Sequence, residues 1–275
     1  MQNILIVGGT GKTGRRITRR LRAAGRPVRA ASRTGGDIAF DLADPPTWAP
    51  ALEGVDAAYV VEPDLRASGD RIPRFVAEAV AAGVRRLVLL SAGGVGEADD
   101  RHPLKAAEQA VRASGLDWTI LRPDWFAQNF SEGPWLPGIL AGTLSLPAGA
   151  GRTPFVDAED IAEVAAAALT EDHHRGRIYQ LTGPRAVSFA EAADLIGKAT
   201  GRPIRYADIA PEAHIEHQVA AGIPAGIARL LTGILVAIRD GLAAEATDDV
   251  ERALGRAARP FEDYVTETAA AGLWN

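Results

Sequence analysis

A doubly wound α/β fold is predicted, a parallel sheet with helices on both faces, followed by a smaller and mainly helical C-terminal substrate lobe. Three observations carry this. Apolar runs of strand length alternate with amphipathic stretches of helix length through the first half of the chain. The first apolar run, Ile4 to Val7, stops at Gly8-Gly9-Thr10-Gly11-Lys12-Thr13-Gly14. Right-handed crossovers then put the strand ends at Gly8, Ser32, Glu62, Ser91 and Pro123 along one crevice.

Each element has its own warrant. Ile4 to Val7 is continuous in apolar residues, as a strand buried on both faces must be. An Arg-rich amphipathic helix follows from Arg15 to about Arg26, then a second strand from Pro27 to Arg33. Asp37 to Leu42 is a short segment, and Ala43-Asp44-Pro45-Pro46-Thr47 has turn chemistry before a short helix to Leu52. Asp56 to Val61 is the next buried strand, closing on Glu62-Pro63-Asp64. A helix over Gly69 to Ala82 ends at Gly83, a strand over Val84 to Leu90 ends at Ser91, and a helix over Pro103 to Ser114 ends at Gly115. Leu116 to Leu121 is a further strand, stopping at Arg122-Pro123.

The second half is less regular. Phe126 to Ala150 reads as loops with short strands, Val156 to Thr170 as an Ala-rich helix opened by Asp157, and Arg177 to Thr182 as a strand. Ser188-Phe189-Ala190-Glu191 resembles a capping box for a helix ending at Gly201. From Pro211 onward the pattern is helical, with breaks near Gly222-Ile223-Pro224, Gly241 and Arg259-Pro260. The expected domains are therefore residues 1–155 with 156–182 returning to them, and a lobe of 183–275.

The 275 residues are 47% hydrophobic, enough for a sizeable core, and contain no cysteine, which excludes disulfides and thiol catalysis. A net charge of −5 argues against non-specific nucleic-acid binding. The chain enters its first strand almost at once and holds no long apolar span, so neither a signal peptide nor a membrane segment is expected, and a cytoplasmic setting is. No acidic residue precedes Asp37, whereas Lys12, Arg15, Arg16, Arg19, Arg20, Arg22, Arg26, Arg29 and Arg33 do. This is either a solvated helix face or a positive field around a phosphate-bearing ligand.

The glycine turn points to a dinucleotide. Gly8 permits the turn, Gly11 lets a pyrophosphate approach the backbone, and Gly14 lets helix pack on strand, while the first N–H groups of the helix face the phosphates. At the end of the second strand an acidic residue favours a free ribose 2′-hydroxyl and an arginine a 2′-phosphate. Ser32-Arg33 stands there, so NADP(H) is expected rather than NAD.

Several phrases are specific together: the turn above, Leu89-Leu90-Ser91-Ala92, Ser114 through Pro123, Trp125-Phe126-Ala127-Gln128-Asn129-Phe130, and Phe155 through Ala162. The chain resembles the NmrA-like branch of the atypical short-chain dehydrogenase/reductases, within it the ergot-alkaloid reductases of the festuclavine synthase and agroclavine dehydrogenase type. The resemblance implies a Rossmann fold, with Thr10, Gly11, Lys12 and Thr13 on the pyrophosphate and Arg33 on the 2′-phosphate. It further implies Asp41 and Leu42 near adenine, Ser91 and Ala92 under the nicotinamide ribose, and Pro123 and Phe126 near the nicotinamide.

Classical members of that superfamily use Tyr-x-x-x-Lys as general acid and its partner. Four residues after Tyr59, Tyr179, Tyr206 and Tyr264 stand Pro63, Gly183, Ala210 and Thr268, so the pair is absent. The nearest substitutes are His102 and Lys105. Lys105 is either a cofactor or catalytic lysine or a solvated one at a helix start, since the family's usual lysine aligns nearer Leu104. His102 is either a proton donor or a surface histidine. Trp125, Phe126 and Phe130 are either core aromatics or the wall of a substrate pocket. His173 and His174 read as loop residues, and His214 and His217 lack a third ligand, so no metal is expected.

Without the tyrosine, reduction of an iminium is the favoured chemistry, because hydride transfer to a cation needs no acid. The reading is thus an NADPH-dependent reductase of a C=N, C=C or C=O bond in a small organic molecule, acting as a monomer or homodimer. The alternative is an NADP(H)-sensing regulatory protein that binds a protein partner.

Overall fold

The structure, a computed structural model, describes residues 2–62, 64, 69–100 and 102–275. Pro63, part of the expected strand end, lies outside the described residues. The first half runs β1 (Ile4–Val7), α1 (Lys12–Ala23), β2 (Val28–Ser32), β3 (Ile38–Ala39), α2 (Trp48–Leu52), β4 (Ala57–Val61), α3 (Arg71–Ala81), β5 (Arg86–Leu90), α4 (Pro103–Ala113) and β6 (Asp117–Pro123). It continues with α5 (Leu136–Leu140), β7 (Thr143–Leu146), β8 (Arg152–Thr153), α6 (Ala158–Thr170), β9 (Arg177–Leu181), β10 (Val187–Ser188) and α7 (Phe189–Thr200). The remaining elements are β11 (Arg205–Asp208), α8 (Pro211–Ala220), α9 (Ala225–Arg239), α10 (Asp249–Leu254) and α11 (Phe261–Ala270). Among the described residues, no helix is long and apolar enough to cross a membrane.

The chain divides into two compact units. One comprises Met1–Asp124, Ala158–Leu181 and Asp249–Ala257, the other Trp125–Asp157, Thr182–Asp248 and Ala258–Asn275. These limits differ from the expected ones: residues 125–155 leave the sheet-bearing unit, and 249–257 return to it. Short stretches that each fill an open edge of a core follow that core, whatever their place in the sequence.

In the first unit seven described strands form one sheet in the order β3-β2-β1-β4-β5-β6-β9, all parallel. Every residue of β1 and β5 is buried, as continuous apolar strands covered on both faces should be. Leu5, Val7, Trp48, Val60, Phe75, Leu87, Leu89 and Val111 share one core. At the last strand the N–H of Gln180 donates to the Asp249 carboxylate of α10 at 2.7 Å, so one donor of the sheet edge is satisfied by a side chain. The arginines of α1 are structural in the main. Arg16, Arg19 and Arg20 converge on Glu159 of α6 at 2.7–3.0 Å, and Arg22 pairs with Asp37.

The second unit is built on clustered rings. Phe130 touches Trp135, Phe155 and Phe261, with centroids 4.7, 5.2 and 5.5 Å away. Trp274 donates its indole N–H to the carbonyl of Phe130 at 2.9 Å. Strands β7 and β11 pair in parallel, and β8 and β10 antiparallel. The expected capping box at Ser188 forms by half. Its hydroxyl accepts the N–H of Glu191 at 3.1 Å, while the Glu191 carboxylate pairs with Arg152 and Arg185.

Candidate active site

The site lies in the first unit, at the C-terminal ends of the strands. Helix α1 starts at Lys12, three residues before the expected Arg15, because extended Gly11 hands the chain directly into it. Gly8 has φ +68°. A Cβ on Gly14 would stand 2.1 Å from the Gly8 carbonyl oxygen, and one on Gly9 2.7 Å from the Ala30 Cβ. Positions 9 and 14 are therefore closed to side chains. Gly11 caps the helix without a side-chain bond, so its opening presents backbone to a ligand. Below, the Thr13 hydroxyl bonds the Tyr59 hydroxyl at 2.8 Å in the core. A phosphate group fits this glycine-lined, positively poled turn.

At the adenosine end the Thr10 and Ser32 hydroxyls bond at 2.7 Å, tying the turn to β2, and Arg33 is exposed just beyond. The first carboxylate of the chain, Asp37, is turned away: it accepts the Ala30 N–H at 2.7 Å and pairs with Arg22. The bond from Ala30, opposed in part by burial and aided by Arg22, holds its carboxyl below the usual range. Asp41 accepts the Ala43 N–H at 2.9 Å. Leu42 is buried within the core, so only its backbone remains for an adenine.

Glu62, at the end of β4, accepts the Asp64 N–H through Oε1 at 3.0 Å, while its buried Oε2 has no hydrogen-bond partner. Burial raises its pKa. At β5, Ser91 donates its hydroxyl to Glu108 of α4 at 2.6 Å, and Arg122 grips the same carboxylate with bonds of 2.9 and 2.6 Å. Burial works against the charge on Glu108, but the bonds from Arg122 and Ser91 hold its pKa below the usual range. Ala92 and Pro123 stand at their strand ends, the Pro123 carbonyl accepting the Gly93 N–H at 2.9 Å.

The two expected catalytic residues are both engaged. His102 is the N-cap of α4, its Nδ1 accepting the Leu104 N–H at 3.2 Å. Lys105 donates to the carbonyls of Gly96 and Val95 in the loop after β5. Ser91, Glu108, Arg122 and Lys105 thus brace the floor of the crevice.

The sequence reading missed Asp124. It follows β6 directly, its N–H donating to Leu181 at 3.0 Å and its Oδ1 accepting the Gln180 side-chain amide at 2.7 Å. A Cβ on Gly93 would lie 2.2 Å from that oxygen. Burial raises the carboxyl to about 6, with the Gln180 bond pulling the other way.

Within the second unit, Trp125 and Phe126 are half-buried, Trp125 packing on Trp135 at 5.1 Å. Phe130 is fully buried in the ring cluster. Of the two readings of Phe130, pocket wall and core aromatic, the structure carries the second, because four rings already pack around its position. Gln128 donates to Asp157 at 2.7 Å. Among the described residues, Glu171, His173 and His174 bring donor atoms within 4.8 Å of one another before β9, at the opposite end of the sheet. His174 already bonds Tyr179 there at 2.9 Å.

The family model described as NAD(P)H-binding matches residues 8–172, from the glycine turn through α6. The chain belongs to this NAD(P)H-binding family. Oxidoreductase YesF of Bacillus subtilis is 37% identical to it over 97% of this chain and 95% of its own. Festuclavine dehydrogenase easG of Aspergillus fumigatus is 30% identical over 97% of this chain and 98% of its own, which bears out the resemblance drawn from the motifs. The crystal structure of Citrobacter sp. triphenylmethane reductase with NADP(H) shares the fold of the NAD(P)H-binding chain. It superposes with a TM-score of 0.78 at 22% identity, over 97% of this chain and 99% of that one.

Proposed function

We propose that this NAD(P)H-binding oxidoreductase takes its hydride from NADPH and reduces a C=N, C=C or C=O bond of a small organic molecule, iminium-type reduction being favoured. The observation that carries the reading is the glycine turn at Gly8 to Gly14, where Gly9 and Gly14 have no room for a Cβ and Gly11 caps the helix with backbone alone, opening onto strand ends that hold Arg33 on one side and Ser91, Ala92 and Asp124 on the other. The pyrophosphate would rest on Thr10 to Thr13. Arg33 would meet the 2′-phosphate, since Asp37 is committed to Ala30 and Arg22. The unsatisfied oxygen of Glu62 suits a ribose hydroxyl. The bound cofactor supplies hydride. The braced Ser91–Glu108–Arg122 group keeps the reacting end of the crevice rigid, so orientation does much of the work.

Cofactor choice is tested by Arg33→Ala, with fluorescence titration of NADPH and NADH. The variant should weaken NADPH by about tenfold or more, one charge-assisted contact, and leave NADH nearly unchanged. Equal losses would remove Arg33 from the 2′-phosphate. Turnover is tested by NADPH consumption with a panel of cyclic imines, quinones and enals. The engagement of His102 and Lys105 favours a second reading, an NADP(H) sensor binding a protein partner; tight NADPH binding with no turnover on the panel would select it. With the reductase reading go a cytoplasmic setting and a monomer or homodimer, neither of which calls for a disulfide.

A further inference from the structure

We propose that Asp124 is the proton donor of this site, and that the acceptor it serves is a neutral imine, protonated in place, in preference to a permanently charged iminium. The proposal rests on the reductase reading above and narrows its substrate class.

The geometry carries it by position and by what surrounds the carboxyl. In the strand order β2-β1-β4-β5-β6, the adenosine end belongs to Arg33 after β2 and the reacting end to β5 and β6. Asp124 is the residue after β6, fixed through its own N–H to β9 and pressed against Gly93 in the loop after β5. Among the described residues at and below these strand ends, the other hydroxyl and imidazole groups named so far are engaged. The Tyr59 hydroxyl is buried against Thr13, Tyr179 bonds His174, Ser91 donates to Glu108, and His102 caps α4. Glu108 is ion-paired, and Glu62 stands at β4, beside the pyrophosphate turn.

The groups around Asp124 leave its proton available. From β9 comes only the neutral Gln180 amide, whose backbone N–H is taken by Asp249 of α10. From β6 and α4 the charged groups are Arg122, Glu108 and Lys105, which are bonded to one another or to carbonyls. No cation bonds Asp124 among the described residues. A half-buried carboxyl without a cationic partner holds its proton towards neutral pH, where a general acid is most useful, and its value of about 6 agrees.

The step balances. Asp124 transfers its proton to the imine nitrogen, making the iminium in the site. The imine carbon accepts a hydride from NADPH, the π pair becomes the lone pair of the amine nitrogen, and NADP⁺ is the oxidised product. The carboxylate recovers a proton from solvent.

The test compares a dihydroisoquinoline imine with its N-methylated iminium in wild type, Asp124→Asn and Gln180→Leu, with NADPH affinity measured alongside. Asp124→Asn should lower kcat/KM for the imine on the order of a hundredfold, leave the N-methyl iminium within about threefold, and keep NADPH affinity. Gln180→Leu removes a donor that stabilises the carboxylate. It should move the pH limb of imine reduction upward, together with the Asp124 midpoint read by ¹³C-carboxyl NMR. Equal losses on both substrates, an unchanged imine rate in Asp124→Asn, or a wild-type carboxyl titrating below pH ~4 would each overturn the proposal. A wild type that reduces neither substrate nor any quinone or enal would overturn the reductase reading and this role with it. A wild type active on both with parallel variants would overturn this role alone.

Discussion

Glu108 and Asp124 are carboxyls a few residues from the same strand end, and their surroundings drive them apart. Glu108 is 3% exposed, yet two bonds from Arg122 and one from Ser91 keep it charged. Asp124 has only an amide and keeps its proton longer. Such a split separates a structural anion from an acid. Removing one partner of the buried pair leaves the other without compensation. Glu108→Gln should therefore cost about 3 kcal/mol in urea unfolding. The exposed pair Lys198–Asp194 is the contrast, where Lys198→Ala should change stability by less than ~0.5 kcal/mol. Equal costs would mean that water screens Glu108 as well.

Among the elements, α1 and α9 respond in opposite ways to the same change. In α1, Gly14 meets the Gly8 carbonyl, so Gly14→Ala must push the helix off β1 and spoil the phosphate turn. A destabilisation of about 1–3 kcal/mol and loss of NADPH binding are expected. In α9, Gly233 has open space where a Cβ would stand, and Gly233→Ala should raise stability by about 0.5–1 kcal/mol in thermal unfolding. The strands of the first unit were legible because each is an unbroken apolar run that stops at a turn. Strand β11 was not, since Arg205-Tyr206-Ala207-Asp208 is half-exposed and has no such run. The glycine turn and the arginine after β2 announce themselves by spacing and charge. Asp124 does not: its meaning comes from burial and from Gln180, 56 residues along the chain. The engagement of His102 and Lys105 was equally hidden, because capping and loop bracing depend on the rotamer of a single side chain.

Across the whole molecule, buried His174 and half-buried Asp124 oppose each other in their effect on acid stability. Burial, with the nearby charges of His173 and Arg86, lowers His174 to about 4, below its unfolded value. Between pH ~6.5 and ~4 the unfolded chain thus binds more protons there, and stability falls as pH falls. Asp124 is raised to about 6, above its unfolded value, so the folded chain binds more protons over pH ~4 to ~6 and stability rises as pH falls. The two slopes offset in the wild type. Asp124→Asn should be more stable than wild type by about 2–3 kcal/mol at pH ~8, a gain that vanishes below pH ~4, with a steeper acid decline between. Denaturant melts at several pH values read this directly; a constant difference would show that Asp124 is not shifted.

The chain passes between the two units at five places, the last at Ala257–Ala258. On the ribosome this order has a cost in time. The outer edge of β6 waits for β9, and β9 waits for Asp249 of α10, so roughly ten seconds of synthesis separate the sixth strand from a closed sheet. Through that interval the nascent chain carries bare strand edges with apolar faces, which are templates for pairing with another chain. Translation speed over residues 124–249 and the holding of the nascent chain by a chaperone then become determinants of yield, independent of how stable the finished molecule is.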